Sequence, residues 1–325
     1  SQKLHWRTVE LGVFDATASW FGLSIIDCLS AGYRFLGWRI ELLIIPVLLD
    51  FVLWLGPRFG VAPIFDELAA VYTTAAGMEE LTSDMRLMLD QFAESVRTMG
   101  QYTNLADGLV SGAAFHLPSL GPVGTAANAT LITIASPLTA LLLWVLFGLI
   151  GVLLGVVYLG LLARRLPIGG MAHVNLGGFL GATLWHWLRA VGFVLLTVAL
   201  LLMIYIPVAF VLSIVMLISP TVGSALAASA GGLILVLFFY LYFAIAGIVM
   251  DNLGVWPAVV RSVQLVRTNF WPTLGFIVLS TLIGLGLAVL LAQLAQSAVW
   301  LHVMAIFVNA YIGTGLALAF LVFYR

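Results

Sequence analysis

The stretch DNLGVWPAVVRSVQLVRTNFWPTLGFIVL, residues 251–279, stands between two long apolar runs and carries two of the chain's thirteen basic residues. Val255, Val259, Val263, Val266 and Phe270 recur with helical period on one face, while Arg261, Gln264, Arg267 and Thr268 crowd toward the other. Asp251 or Asn252 suits the start of a helix, and Pro257 is acceptable in its first turn. Such a helix is too short to cross a bilayer and too apolar on one side to stand free in water. Residues 251–271 are therefore expected to lie along a membrane interface. Arg261 and Arg267 would sit among the headgroups, with Trp256 and Trp271 anchoring at the same level.

The rest of the chain demands a membrane. Of its 325 residues 63% are hydrophobic and 8% charged, whereas a soluble domain is about a quarter charged. A larger core does not account for this, because any surface facing water still needs charge. Apolar runs long enough to span are read at 39–56, 133–162, 189–217, 230–250, 273–296 and 299–323. The fold class expected is all-α: one polytopic membrane domain over 1–325, with about six transmembrane helices, interfacial amphipathic helices and a helical insertion. Residues 1–20 show charges at both ends and no early apolar core, so the first span is expected to serve as the targeting signal.

Basic residues set the orientation. Lys3, Arg7, Arg34, Arg39, Arg164, Arg165, Arg189, Arg261, Arg267 and Arg325 all fall on one side of six alternating spans. Both termini are then cytoplasmic in a prokaryotic inner membrane, residues 1–38 form a cytoplasmic amphipathic lead-in, and 57–130 is an extracytoplasmic insertion. The lead-in shows Phe21, Ile25, Leu29, Tyr33 and Leu36 on one face and Asp27, Ser30 and Arg34 opposite. A third basic, aromatic approach, LGATLWHWLRAVGFVLL, precedes the 189–217 span. The chain thus reads as three units, each an interfacial segment followed by two spans.

At 251–271 the sequence also resembles a poorly characterised prokaryotic multi-pass family. Its members include the membrane domain attached to some glycerophosphodiester phosphodiesterases and its stand-alone relatives. The matching residues are Asp251, Gly254, Ala258, Arg261, Ser262, Leu265, Arg267, Phe270 and Trp271. The resemblance covers the last hundred or so residues and the rest by topology. It implies an all-helical membrane fold and no established activity. The long insertion 57–130 departs from the compact family pattern.

Inside that insertion Leu81, Met85, Met88, Phe92, Val96 and Met99 step by fours and threes, which predicts an amphipathic helix of about six turns. A shorter helix is expected over 65–76. The apolar seam is expected to be covered by the neighbouring helix or the end of the bundle; the sharper alternative is a protein partner docking on 65–100. Residues 104–130, rich in Gly and Pro, read as irregular cover over the helix ends.

Ionisable groups at membrane depth are candidates for function. Asp50, His302 and Asn309 form a cluster if the first and sixth spans touch, either as a proton or substrate site or as glue between helices. His186, in WHW at 185–187, reads as part of an aromatic anchor, with pigment or haem ligation as the sharper alternative. His173 has no nucleophile motif beside it. GxxxG steps at Gly151/Gly155 and Gly177/Gly181, with Gly313 and Gly315, permit close helix contact. The single Cys28 makes no disulfide, and no catalytic set, metal site or cofactor is expected. A net charge of −1 recruits no nucleic acid, so the bilayer is the first partner. These features point to a non-enzymatic membrane protein, an accessory or scaffold subunit or a membrane-organising factor. A transporter or lipid-handling permease is the alternative. In a Cys28→Ser background, Ser83→Cys on intact cells is expected to react with an impermeant thiol reagent and Thr268→Cys to stay unlabelled. The reverse pattern contradicts the orientation.

Overall fold

The computed structural model describes residues 24–37, 39–78, 82–121, 130–166 and 176–325. Within them the chain is an all-α polytopic membrane protein. Five helical stretches are long and apolar enough to cross a bilayer: Pro137–Arg165, Gly181–Met216, Thr221–Met250, Phe270–Ala295 and Val299–Tyr324. The shorter of these, 26 residues, reach about 39 Å at 1.5 Å per residue, beyond the roughly 30 Å of hydrocarbon.

The span expected at 39–56 takes a different form. The chain first makes α1, Ile25–Leu36, then a 3-10 turn at Ile40–Leu43, then α2, Ile44–Leu55. Twelve residues of α2 cover about 18 Å, too little to span alone. Between α1 and the turn, Gly37 adopts φ +47°, a left-handed conformation that ends α1.

The two short helices share one partner, α11, Val299–Tyr324. In α1, Gly32 lies so close to α11 that a Cβ there would stand 2.5 Å from the Gly315 carbonyl oxygen and 2.6 Å from the Ala319 nitrogen. The Tyr33 ring covers Gly315, and its hydroxyl donates to the Ile312 carbonyl at 3.1 Å. In α2, Phe51 meets Phe307 edge-on and Trp54 stacks on His302 at 4.2 Å. The contacts climb α11 from Ala319 to His302, so α1 and α2 together run antiparallel along most of its length. Residues 24–36 are therefore a packed element of the bundle and not a free lead-in. The buried side is Cys28, Ala31, Gly32 and Leu36, with Asp27, Ser30 and Arg34 exposed. Small residues on both partners permit this approach. Residues 1–23, including Phe21, lie outside the described residues.

After α2, a short strand β1, Arg58–Gly60, pairs in parallel with β2, Leu131–Thr133. Helices α3, Ala62–Ala76, and α4, Ser83–Tyr102, form an antiparallel hairpin between them in sequence. The hairpin closes through Ala69, Ala93 and Val96, and through Gly100 against Phe65. Then come α5, Pro137–Arg165, α6, Leu176–Ile218, α7, Pro220–Leu241, and α8, Ala244–Met250. Next in the chain, α9, Val255–Thr268, buries Ala258, Val259, Ser262 and Val266 and exposes Trp256, Arg261, Gln264 and Arg267. The chain ends with α10, Phe270–Ala295, and α11. Most of the apolar window of α11 is buried and none of that of α6, which makes α11 the central helix and leaves α6 facing lipid.

Close packing at Gly32 has a direct consequence. Gly32→Ala drives a methyl into α11 backbone and should cost about 1–3 kcal/mol, the scale of overpacking. Gly286→Ala, whose methyl meets nothing within 4 Å, should be neutral or slightly stabilising. Thermal unfolding of the two variants in one detergent measures the difference.

Candidate functional site

The feature that organises the interior is residues 104–121, part of the 104–130 stretch expected to cover the helix ends, of which 122–129 lie outside the described residues. Asn104 starts it at the β-pair. Its Oδ1 accepts from the Phe59 amide at 2.9 Å and from the Ala106 amide at 3.2 Å. A 3-10 helix, Leu105–Phe115, then runs along α5, with Gly108 against Trp144, Phe147 and Gly148. His116 makes the turn at φ +56°. Its ring stacks on Phe320 at 3.8 Å between centroids and meets Tyr242 edge-on at 5.0 Å. Phe320 is one turn short of the end of α11, so this turn lies deep in the bundle. The chain then doubles back along α11. Leu117 is buried, Pro118 rests on Gly313, and Leu120 packs with Leu291, Ala295 and Ala305. Residues 104–121 therefore form a re-entrant segment. Non-helical backbone at membrane depth persists where protein surrounds it, and here α2, α5, α10 and α11 do so.

Asp50 fastens the returning leg. Its side chain, 3% exposed, accepts from the Ser119 hydroxyl at 2.5 Å and from the Leu120 amide at 3.1 Å to each oxygen. Ser119 Oγ in turn accepts from the Gly121 amide at 3.0 Å. Asn309 lies beside the carboxyl group and interacts with it, although its buried Nδ2 meets no acceptor in full hydrogen-bond geometry. Of the expected cluster, Asp50 and Asn309 thus come together, while His302 turns to Trp54 and the Ala295 carbonyl. The principal partners, Ser119 and Leu120, were not foreseen. The groups facing Asp50 are donors, and they immobilise it. This is the geometry of a fastener between the first helices and the re-entrant segment.

A second polar junction lies at the opposite end of α11, and it occupies the sequence signature. Asp251 accepts from the Tyr324 hydroxyl at 2.5 Å and pairs with Arg325 at 3.0 Å. Asn252, at φ +52°, receives Arg189 through its carbonyl at 2.6 Å and its Oδ1 at 2.5 Å. His186, 5% exposed, bonds the same Asn252 side chain. Arg189 also lies over the Trp185 ring at 5.3 Å. Ser262 Oγ donates to the Tyr240 carbonyl at 2.7 Å and accepts from the Phe243 amide at 3.1 Å, which joins α9 to the break between α7 and α8. Arg261 reaches Tyr324. Arg267, Trp256 and Trp271 stay exposed, the two rings by 66% and 76%. His173 lies outside the described residues.

The third feature is the α3–α4 hairpin. The seam expected to be covered is not: Met85, Met88, Phe92 and Met99 are half or more exposed, and of the described seam residues Val96 alone is buried. The reason is rotation. The contact with α3 is made by Ala93, Val96 and Gly100, whose small side chains let the helices approach, so the bulky stripe is turned aside. Leu81 lies outside the described residues.

No family model, no curated protein and no solved structure matches this chain.

The Asp50 fastener gives a measurable expectation. Asp50→Ala leaves a hydroxyl and an amide without their acceptor, at a cost of about 1–3 kcal/mol. In a Cys28→Ser background, Leu117→Cys should resist thiol reagents, and adding Asp50→Ala should speed its labelling by about tenfold or more, 1.4 kcal/mol per decade. Asp50→Asn keeps one acceptor oxygen and should fall between.

Proposed function

We propose that this chain is a non-enzymatic subunit of a membrane complex, an accessory or scaffold protein that holds a partner through the α3–α4 hairpin. One observation carries the reading: a helical hairpin standing at the β-pair turns a bulky apolar stripe to the outside. Soluble helices bury such stripes, and uncovered ones mark interaction surfaces. The polar groups of the interior fit the same view, because Asp50 is engaged by the chain's own donors. The positive-inside distribution supports a prokaryotic inner membrane with both ends cytoplasmic and the hairpin outside. The antiparallel run of α1 and α2 along α11 supports it too, since the pair starts beside the end of α11. On this view α9 is an amphipathic helix at the inner interface, with Arg261, Arg267, Trp256 and Trp271 as its anchors. The resemblance to stand-alone relatives of the phosphodiesterase membrane domain is compatible with a part that lacks its own chemistry.

A specific observation favours the second reading, a transporter or lipid-handling permease. Transporters build their sites from interrupted helices and re-entrant segments, and here the α1–α2 break and residues 104–121 share one bundle.

Gentle purification of a tagged chain from its native membrane separates the two. The expected result is a second protein in fixed stoichiometry, lost when Met85→Asp and Met88→Asp, both at exposed positions, are combined, with the unfolding temperature unchanged. A lone chain carrying bound substrate or lipid, indifferent to those substitutions, contradicts the subunit reading.

A further inference from the structure

The hairpin's charges narrow what covers it. Its exposed apolar side is continuous across the two helices, because Tyr72 of α3 meets Phe92 of α4 edge-on at 4.7 Å. On the α4 side it is formed by Met85, Met88, Phe92 and Met99, and on the α3 side by Leu68 and Val71, which are 47% and 63% exposed. Each long edge carries an acid. Asp84 stands one turn before Met88 and Glu67 one turn before Val71, and both are exposed.

The hairpin's two arginines offset only two of the five acids among its described residues, Asp66, Glu67, Asp84, Asp90 and Glu94. Arg86 is engaged with the Met78 carbonyl at 3.2 Å, and Arg97 pairs with Glu94 at 3.5 Å. Asp66 and Asp90 add further negative charge. A second copy of this chain would set acid against acid along both edges. An anionic lipid surface would repel the same edges, the reverse of the basic rim that seats a helix on headgroups. Flexible, polarisable methionines suit an apolar helix laid across them, since they adapt to its side chains.

Resting on the subunit reading, we infer that this face is the docking surface for an amphipathic helix of a second protein, apolar on its contact side and basic along its flanks. Its apolar side chains cover Met88 and Phe92, and its basic flanks meet Asp84 and Glu67. The apolar contact supplies affinity, and the charges choose the partner and its lie.

The test uses the full chain in nanodiscs of zwitterionic lipid. Two labelled 18-residue designed helices are titrated in, one with Leu and Lys faces and one with Leu and Glu faces. Empty nanodiscs give the lipid background. The Lys peptide is expected to bind about tenfold or more tighter than the Glu peptide, and Met88→Ser with Phe92→Ser to weaken it by about tenfold or more, as for central interface residues. Glu67→Gln with Asp84→Asn should narrow the gap between the peptides and leave the apolar contact. Phe92→Ser also removes the ring contact with Tyr72, so the Ser pair should lower the unfolding temperature slightly; Met85→Ser with Met88→Ser keeps that contact and should weaken the Lys peptide at the parent temperature. Equal binding of the two peptides, binding no better than to empty nanodiscs, or indifference to the Ser pair overturns the inference. So does self-association of the parent chain that the Ser pair abolishes. If the Lys peptide fails while a native subunit still co-purifies through the hairpin, this inference falls and the subunit reading stands.

Discussion

A carboxylate enclosed by apolar helices has to be met by donors, and Asp50 finds them on a distant part of its own chain. The Ser119 hydroxyl and Leu120 amide supply what water supplies elsewhere. In doing so they hold residues 117–121 against α2 and α11. The dependence is mutual. An extended backbone at that depth carries amides and carbonyls that lipid cannot solvate. Without α2, α5, α10 and α11 around it the segment would not stay, and without the segment the buried Asp50 carboxyl would lose the donors that meet it. The rest of the bundle is arranged around this pairing. Helix α11 is central because α1, α2 and the returning leg all lie on it.

Close approach on that scale needs small residues, and α11 provides them where each neighbour arrives. Pro118 rests on Gly313, the Tyr33 ring on Gly315, and Gly32 on Gly315 and Ala319. The same helix carries Asn309 beside Asp50 and His302 beneath Trp54. At its far end, Tyr324 and Arg325 clasp Asp251, so the DNLG turn is tied to the C-terminus and, through Asn252, to Arg189 on α6. Asp251 and Asn252 thus have a structural task, which is to tie α6 and α11 to the turn before α9 at one end of the bundle.

Much of this was legible in the sequence, for identifiable reasons. Long charge-free runs fix spanning helices because the physics of lipid leaves no other choice for them. The helical period of 255–269 gave α9, and Gly313 and Gly315 marked the close contacts. Asp50 and Asn309 were found by their cost at depth. The failures also have causes. The first span was read as one helix over 39–56 because its hydropathy is continuous; its opening residues instead make the 3-10 turn Ile40–Leu43, a backbone conformation invisible to hydropathy, and leave only Ile44–Leu55 as α-helix. The segment 104–121 was read as cover because Gly and Pro remove periodicity, and periodicity is the signal that reveals burial. Pro118 and Ser119 offered a hint, an irregular stretch with apolar neighbours, but nothing local pointed to Asp50 some seventy residues away. The methionine stripe of α4 was correctly seen as a stripe and wrongly covered. Period shows which residues share a face, whereas Ala69, Ala93 and Gly100 decide which face meets the neighbour.

The central claim is that residues 117–121 run through the bundle beside α11. Pairing Leu120→Cys with Ala305→Cys, whose native side chains share one packed cluster, with Pro118→Cys alone as the accessibility probe, each in a Cys28→Ser background, tests it most directly. With a protease site placed within 167–175, which lies between them in sequence, mild oxidation in the membrane should leave the two fragments joined, and reduction should release them. Fragments that separate without reduction, with Pro118→Cys instead open to an impermeant thiol reagent, would contradict the account.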